Sequence, residues 1–393
     1  PTLVDIDVDG DLEIVLAGMD SRLYVWHHDG SAFEPYPKEI CHQDNCDTRG
    51  FRIITSVTVG DVDGDGDLDF GLGGNETVRD DSYSVTHVID ALTAAPLPGW
   101  PVEEHGLVNE AALLPIIGEG HPASLAFGDM DGDGDLEIID AIMLGQTDVL
   151  DHKGEAALEL NYAADQFGEN SNSNEPSFVA MTNNPAFGDL DCDGVLDPVM
   201  GGAGSFALVG LALTRAIDFQ HVLGGWKGST GEFFKGWPRQ VEDFQFLVAP
   251  AIADISGDGW PEVVYTSAGY LVHAWDRLGN KPEGWPKFTG QWLLGSPAVG
   301  DINGDGWLDV VATTREGWLY AWSTKGRADQ EIQWASLHHD PANTGNYETP
   351  LATQAGPDEV ATGCCKRSGA ADQAWLIGPI LLLAAGRRKR GLS

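Results

Sequence analysis

Six times along this chain, a nine-residue stretch places oxygen-bearing side chains at alternate positions around a glycine. The richest copy is D-V-D-G-D-G-D-L-D, with Asp61, Asp63, Asp65, Asp67 and Asp69 at positions 1, 3, 5, 7 and 9. The first copy holds Asp5, Asp7, Asp9, Asp11 and Glu13. The third holds Asp129, Asp131, Asp133, Asp135 and Glu137. The fourth has Asp189, Asp191, Asp193, Val195 and Asp197. The fifth has Asp254, Ser256, Asp258, Trp260 and Glu262, and the sixth Asp301, Asn303, Asp305, Trp307 and Asp309. Position 1 is always Asp, position 5 Asp, position 6 Gly and position 9 Asp or Glu. Position 3 is Asp, Ser or Asn, each an oxygen donor. Position 7 varies freely, as expected of a site offering only its backbone carbonyl. Such a loop is a cage for a hard cation. Calcium takes six to eight oxygens at about 2.3–2.6 Å in irregular geometry, whereas magnesium demands a tight octahedron. Zinc favours His and Cys, and no candidate zinc pair lies in these stretches. The glycine supplies the positive φ of a sharp turn.

An EF-hand would need a bidentate carboxylate at position 12 and helices on both sides. Position 12 is Leu16, Leu72, Asp140, Met200, Tyr265 and Ala312, so five of the six copies fail. The flanks are short apolar, β-branched runs such as S-V-T-V-G before a loop and E-I-V-L-A after one. Such runs predict strands. Each loop is therefore expected to join two strands, with up to six calcium ions in all.

The loops begin 56, 68, 60, 65 and 47 residues apart, a range that signals a propeller or a solenoid. Other features keep phase. Aromatic strands follow at 22–26, 270–275 and 318–322, and G-W-P recurs at 99–101, 236–238 and 284–286, with P-Y-P at 35–37. Each unit reads as four strands, the size of a propeller blade. The expectation is an all-β propeller of about six four-stranded blades, or seven or eight if upstream residues complete the ring. The tryptophans are expected to fill the space between blades.

Net charge is −39, and 25 of the 61 acids lie in the six loops. Six calcium ions would bring the charge to roughly −27. That balance argues against nucleic acid or an anionic membrane held on a basic face.

On these loops and their flanking strands, residues 1–347 resemble FG-GAP or VCBS repeats, the blades of integrin-α-like propellers. The resemblance implies calcium held by side chains at positions 1, 3, 5 and 9 and by the carbonyl at position 7. It also implies a binding platform on a cell surface or in a secreted protein. The fifth and sixth loops, with Ser256 and Asn303, are poorest in acids and are expected to bind more weakly.

Cys41 and Cys46 flank H-Q-D-N and predict a small disulfide loop in an oxidising compartment, with zinc the weaker alternative. Cys192, at position 4 of its loop, reads as an unpaired buried thiol. Residues 161–184 form a polar insertion that reads equally as a binding loop or a solvated excursion. Residues 205–217 are apolar and fit a short helix or an atypical strand pair. His338-His339-Asp340 is read as a structural closure, because no Ser or Cys in a nucleophile context accompanies it. The chain is thus not expected to be an enzyme.

After Tyr347 the composition changes. Residues 348–362 predict a linker. Residues 363–393 carry G-C-C, a spacer, an apolar run and R-R-K-R. Thirteen apolar residues make a helix of about 20 Å, short of the roughly 30 Å bilayer core. The tail resembles the MYXO-CTERM sorting signal of myxobacterial surface proteins. It implies secretion, transient membrane insertion, processing by a sorting protease at Cys364 or its neighbour Cys365, and retention at the cell surface. The leading functional expectation is a protein- or glycan-binding adhesion module. The alternative is an accessory propeller of a larger secreted protease or polysaccharide-degrading enzyme whose catalytic part lies upstream.

Overall fold

A computed structural model describes residues 1–41, 55–104 apart from 79–80, 121–161 apart from 122 and 143–146, 179–203 apart from 181–182, and 221–351 apart from 244 and 246–247. The linker and tail, Cys46, Cys364 and Cys365, the 205–217 run and most of the 161–184 insertion lie outside them. The described residues contain 25 strands and no helix. Blade 1 is β1 (Thr2–Val4), β2 (Glu13–Ala17), β3 (Arg22–Trp26) and β4 (Lys38–Glu39). Blade 2 is β5 (Thr58–Gly60), β6 (Asp69–Val78), β7 (Asp81–Asp90) and β8 (Val102–Glu104). Blade 3 is β9 (Ala126–Gly128), β10 (Glu137–Ala141), β11 (Thr147–Leu150) and β12 (Ala156–Leu158). Blade 4 is β13 (Val179–Ala180), β14 (Ala186–Gly188), β15 (Asp197–Ala203), β16 (His221–Gly225) and β17 (Arg239–Val241). Blade 5 is β18 (Ala251–Ala253), β19 (Glu262–Thr266), β20 (Leu271–Trp275) and β21 (Lys287–Phe288). Blade 6 is β22 (Ala298–Gly300), β23 (Trp307–Thr313) and β24 (Leu319–Arg327). Strand β25 (Ile332–Trp334) closes the series.

Within each sheet, neighbouring strands are antiparallel and follow chain order. Two sheets gain a fifth strand, because β13 pairs with β15 and β25 pairs with β18. Blade 6 has three, so the expected four-strand unit is not uniform. The first strands pack on one another in succession, β1 on β5, β5 on β9, β9 on β14 and β18 on β22, while β14 reaches blade 5 through β25, the strand paired with β18. Those contacts make the sheets a β-propeller, with first strands innermost. Antiparallel order then places every nine-residue loop, between first and second strands, on one face together with the turns between third and fourth strands. The second-to-third hairpins and the connections between blades leave from the opposite face.

The cores lie between blades, as period-two strands with apolar residues on both sides require. Leu23 and Val25 meet Phe70 and Leu72 between blades 1 and 2. Val88 and Trp100 meet Phe127 and Ile138 between blades 2 and 3. A larger cluster runs from Ile139 through Phe187 and Trp237 to Tyr265 and Trp275 across blades 3, 4 and 5. Val264 and Val272 meet Leu308 and Val310 between blades 5 and 6.

The G-W-P motif locks one blade to the next. Trp100 Nε1 donates to the carbonyl of His152 at 2.9 Å, and Trp237 Nε1 donates to that of Asp276 at 3.2 Å. Each acceptor lies in the third-to-fourth-strand turn of the following blade. In the P-Y-P variant, Tyr36 Oη donates to the carbonyl of Ala91 at 2.8 Å. These rings fill the seams as expected, but Trp292, Trp307 and Trp318 are exposed. Trp237 is fully buried and stands edge-on to Trp275. Trp237→Ala should cost about 3–5 kcal/mol in denaturant unfolding. Trp237→Phe, which chiefly removes the bond to Asp276, should cost about 1 kcal/mol.

Residues 332–347 run along the axis and bond to the blades in turn. Beside the β25–β18 pairing, Gln333 Nε2 donates to the carbonyl of Asp189 in blade 4. Val299 N of blade 6 donates to Ala335 O, Leu3 N of blade 1 to Ala342 O, and Val59 N of blade 2 to Thr344 O, each at 2.9 Å. Phe127 N of blade 3 donates to Gly345 O, and Tyr347 N returns a bond to Phe127 O. Thus residues 332–347, which end in the H-H-D-P-A-N-T-G-N-Y run, form a hub touching all six blades. Asp340 is buried there and accepts from Ala342 N, Thr344 N and Thr344 Oγ1.

The reading of Cys192 is corrected. It is half-buried and disulfide-bonded, on a left-handed residue with φ 54°. Position 4 of a surface loop leaves a side chain reachable from outside, so an oxidisable thiol there is not sealed in a core. Cys41 is disulfide-bonded too.

Candidate metal centres

Each nine-residue loop is wound by its own side chains. The position 1 carboxylate draws in the backbone ahead of it. Asp5 accepts from Asp9 N and Gly10 N, and Asp189 from Asp193 N and Gly194 N. Asp254 accepts from Gly257, Asp258 and Gly259, and Asp301 from Gly304, Asp305 and Gly306. Asp61 accepts from Gly66 N and Asp129 from Gly132 N. The position 5 carboxylate accepts from the position 7 N–H in all six loops at 2.9–3.0 Å. The position 9 carboxylate reaches back to the position 2 N–H, at 2.6–3.0 Å in five loops and 3.4 Å in the sixth. Both position 4 and position 6 are left-handed in every loop. Glycine at position 6 answered that need, but position 4, occupied by Val8 and Cys192 in two loops, was not anticipated from the sequence.

This winding converges carboxylates. Asp5, Asp7 and Glu13 bring ligand atoms within 4.8 Å of one another. So do Asp61, Asp63 and Asp69, then Asp129, Asp131 and Glu137, then Asp189, Asp191 and Asp197, and finally Asp254, Asp258 and Glu262. In the first four loops the group draws on positions 1, 3 and 9, and in the fifth on positions 1, 5 and 9. Among the described residues, the sixth loop's Asp301, Asp305 and Asp309 make no such group.

The electrostatics of these groups fit a divalent cation. Burial pushes the carboxyls of Asp69 and Glu262 up to about 8, Glu137 to about 7 and Asp189 to about 6. Asp197 is pushed well above the carboxylate range, again by burial. Neighbouring carboxylates add to the rise in each case. Buried anions crowded together cost free energy unless a cation pairs with them. Asp61 Oδ1 and Asp191 Oδ1 are buried without a hydrogen-bond partner. Oxygen-only donors with spare lone pairs suit calcium better than a softer metal.

A pH prediction follows. In metal-free protein these carboxyls take up protons that the unfolded chain, near pKa 4, has released. Their contribution is fully present below about pH 4 and lost progressively as pH rises to the folded values of about 6 to 8, so the metal-free form loses stability between about pH 4 and about pH 8. With calcium bound the ionised form is the stable one, and the loss should vanish. Melting temperature against pH, with calcium and with chelator, tests this.

Position 7 has a second role, which the sequence reading missed by assigning it only a carbonyl. Its side chain meets the blade's own third-to-fourth-strand turn. Asp11 pairs with His28 at 3.3 Å, Asp135 with His152 at 3.0 Å, and Trp260 lies 3.7 Å under the Arg277 guanidinium. The recurring His or Arg one residue into that turn was the available signal.

The family profile of the FG-GAP-like repeat matches residues 5–71 and 254–312, which hold the first, second, fifth and sixth loops. No curated protein matches the chain. Solved structures similar in shape include the complex of BBS1N with ARL6DN, at 13% identity over 85% of this chain and 80% of that one, TM-score 0.42. The Dos1 propeller follows at 12% identity over 79% and 64%, TM-score 0.43. The exotype rhamnogalacturonan lyase YesX is 17% identical over 82% of this chain and 52% of its own, TM-score 0.43.

Proposed function

We propose that this chain is a non-catalytic binding propeller, stabilised by calcium on one face and recognising a protein or glycan on the other. The observation that carries the reading is the division of labour between faces. Five converging carboxylate groups sit on one side. The long connections of blades 1 to 4, such as those after Glu39, Glu104, Leu158 and Ala203, leave from the other. Ions that fix the frame from behind leave the opposite face free to vary, which is where binding residues collect on rigid scaffolds. With its tail, the chain is proposed to sit outside the cell and to be displayed on the bacterial surface after processing at Cys364 or Cys365.

The test is binding of the full chain to a glycan panel and to intact bacterial surfaces, in calcium and in EDTA. Saturable binding that disappears on chelation supports the reading and supplies a ligand class. A folded, calcium-loaded protein that binds nothing in either panel removes it.

A further inference from the structure

The five packed seams set a standard that the sixth does not meet. In each blade the residues at loop positions 10 and 12 face the preceding blade. They are Phe70 and Leu72, Ile138 and Asp140, Pro198 and Met200, Val263 and Tyr265, and Val310 and Ala312, and all are buried. Blade 1 breaks the pattern: Leu16 is 41% exposed and Ile14 half-buried. Strand register puts Leu3, Ile14 and Trp26 in one row and Leu16 beside Tyr24, so one apolar face of blade 1 has no cover.

Blade 6 is open on the complementary side. There Val311 is half-buried, and Thr313, Leu319 and Ala321 are exposed on one face. Glycines at the ends of first strands report the gap independently. A Cβ built on Gly60 would strike Leu136, one on Gly128 would strike Leu196 and one on Gly188 would strike Ile252, in each case in the following blade. A Cβ on Gly300 of blade 6 meets nothing within 4 Å. Among the described residues no apolar cluster joins blade 6 to blade 1. Both blades bond to the hub, Val299 N to Ala335 O and Leu3 N to Ala342 O. Among the described residues no further strand pairs with β24, whose Lys325 N donates to Ile255 O of blade 5, and a strand edge left without a partner strand is of the kind that recruits further strands.

We infer that the opening between blades 6 and 1 is a slot for one further four-stranded blade of the same repeat, contributed by polypeptide joined ahead of Pro1. A blade is the occupant that suits it. Both walls are sheet faces with apolar residues at period two, continuous with a ring of seams built the same way. Strand order sets the side of entry. In blades 1 to 5 the fourth strand ends on the face opposite the nine-residue loops, the face on which the next blade's first strand begins, and β1 is the first strand of blade 1. A blade filling the slot through that connection covers Leu16 and Tyr24 with one face and Leu319 and Ala321 with the other.

Two measurements test this. Spin labels incorporated as unnatural residues at positions 16 and 319 of the full chain should lie roughly 20 Å apart, two sheet spacings, rather than the roughly 10 Å of one packed seam. A distance near one spacing overturns the proposal. The second extends the full chain at Pro1 with a copy of residues 248–296, which brings Pro1 to the place Pro297 holds before blade 6. Hydroxyl-radical footprinting should then show Leu16, Tyr24, Trp26 and Leu319 protected at least tenfold, with Tm raised by about 5 °C or more. The same extension carrying Val264→Asp and Val272→Asp in the copy should give neither effect. Unchanged reactivity in a folded extended chain overturns the proposal. So does protection of these residues in an unextended dimer, which would make a second copy the occupant.

Discussion

Removing divalent ions is expected to lower the melting temperature by well over 10 °C. The reasoning is one of linkage. A site filled at a hundredfold excess over its dissociation constant stabilises the fold by about 2.7 kcal/mol, so five such sites supply on the order of 13 kcal/mol. That matches the whole stability of an ordinary domain. The carboxylate groups explain why so much rests on the ion. Without it, Asp69, Asp197 and Glu262 are buried acids beside other acids, forced to hold protons far above their ordinary range. Scanning calorimetry in millimolar calcium, in magnesium and in EDTA reads the effect directly. Calcium should restore the high transition and magnesium only part of it, because irregular oxygen cages suit the larger ion. A transition that ignores all three conditions would mean that the loops are wound by their internal hydrogen bonds alone. Within the set, Asp197→Asn should weaken one site sharply, while Asp305→Asn in the sixth loop should change little.

The second large effect concerns the hub. A chain ending at Asp329 should lose its cooperative transition altogether, although every nine-residue loop and every blade strand from β1 to β24 remains. It would lack β25, the bonds from Val299, Leu3, Val59 and Phe127, and the burial of Trp334. Six inner strands would then surround an unfilled axis, with backbone N–H groups unpaired away from water, each costing about 1–3 kcal/mol. A gentler version is Asp340→Ala. It removes an acceptor of three hydrogen bonds inside the hub and should cost about 3–5 kcal/mol. Both are read by denaturant unfolding of the calcium-loaded protein. An intact transition in the shortened chain would show that the seams suffice without the hub.

Much of this architecture was legible because the repeat speaks six times over. Alternating acids around Gly66, Gly134 and Gly259 gave the turn, flanking β-branched runs gave the strands, and the 47–68 residue period gave the blades. The G-W-P motif announced a seam residue, and Trp100 and Trp237 behave as one. What escaped was non-local. Nothing in H-H-D-P-A-N-T-G-N-Y says that it lies along an axis, because its partners sit up to 342 residues away. The sixth loop reads much as the fifth does, yet among the described residues its carboxylates form no converging group. Cys192 read as an unpaired buried thiol because only local spacing was visible, and a disulfide is a long-range fact. Exposure of Leu16 could not be foreseen either, since its five equivalents are all buried.

The hub also fixes an order of events in translation. Polypeptide emerges from the ribosome amino end first, and all six blades are synthesised before the residues that span them. Blade pairs can dock while synthesis continues, since each seam joins neighbours in the chain, but Thr2 must wait for Asn343. Closure therefore waits until residues 332–347 have been made, a step with very high contact order, the class of event that folds slowly. A nascent propeller of this design stays an open arc until residues 332–347 have emerged, and so remains threadable while all six blades are made.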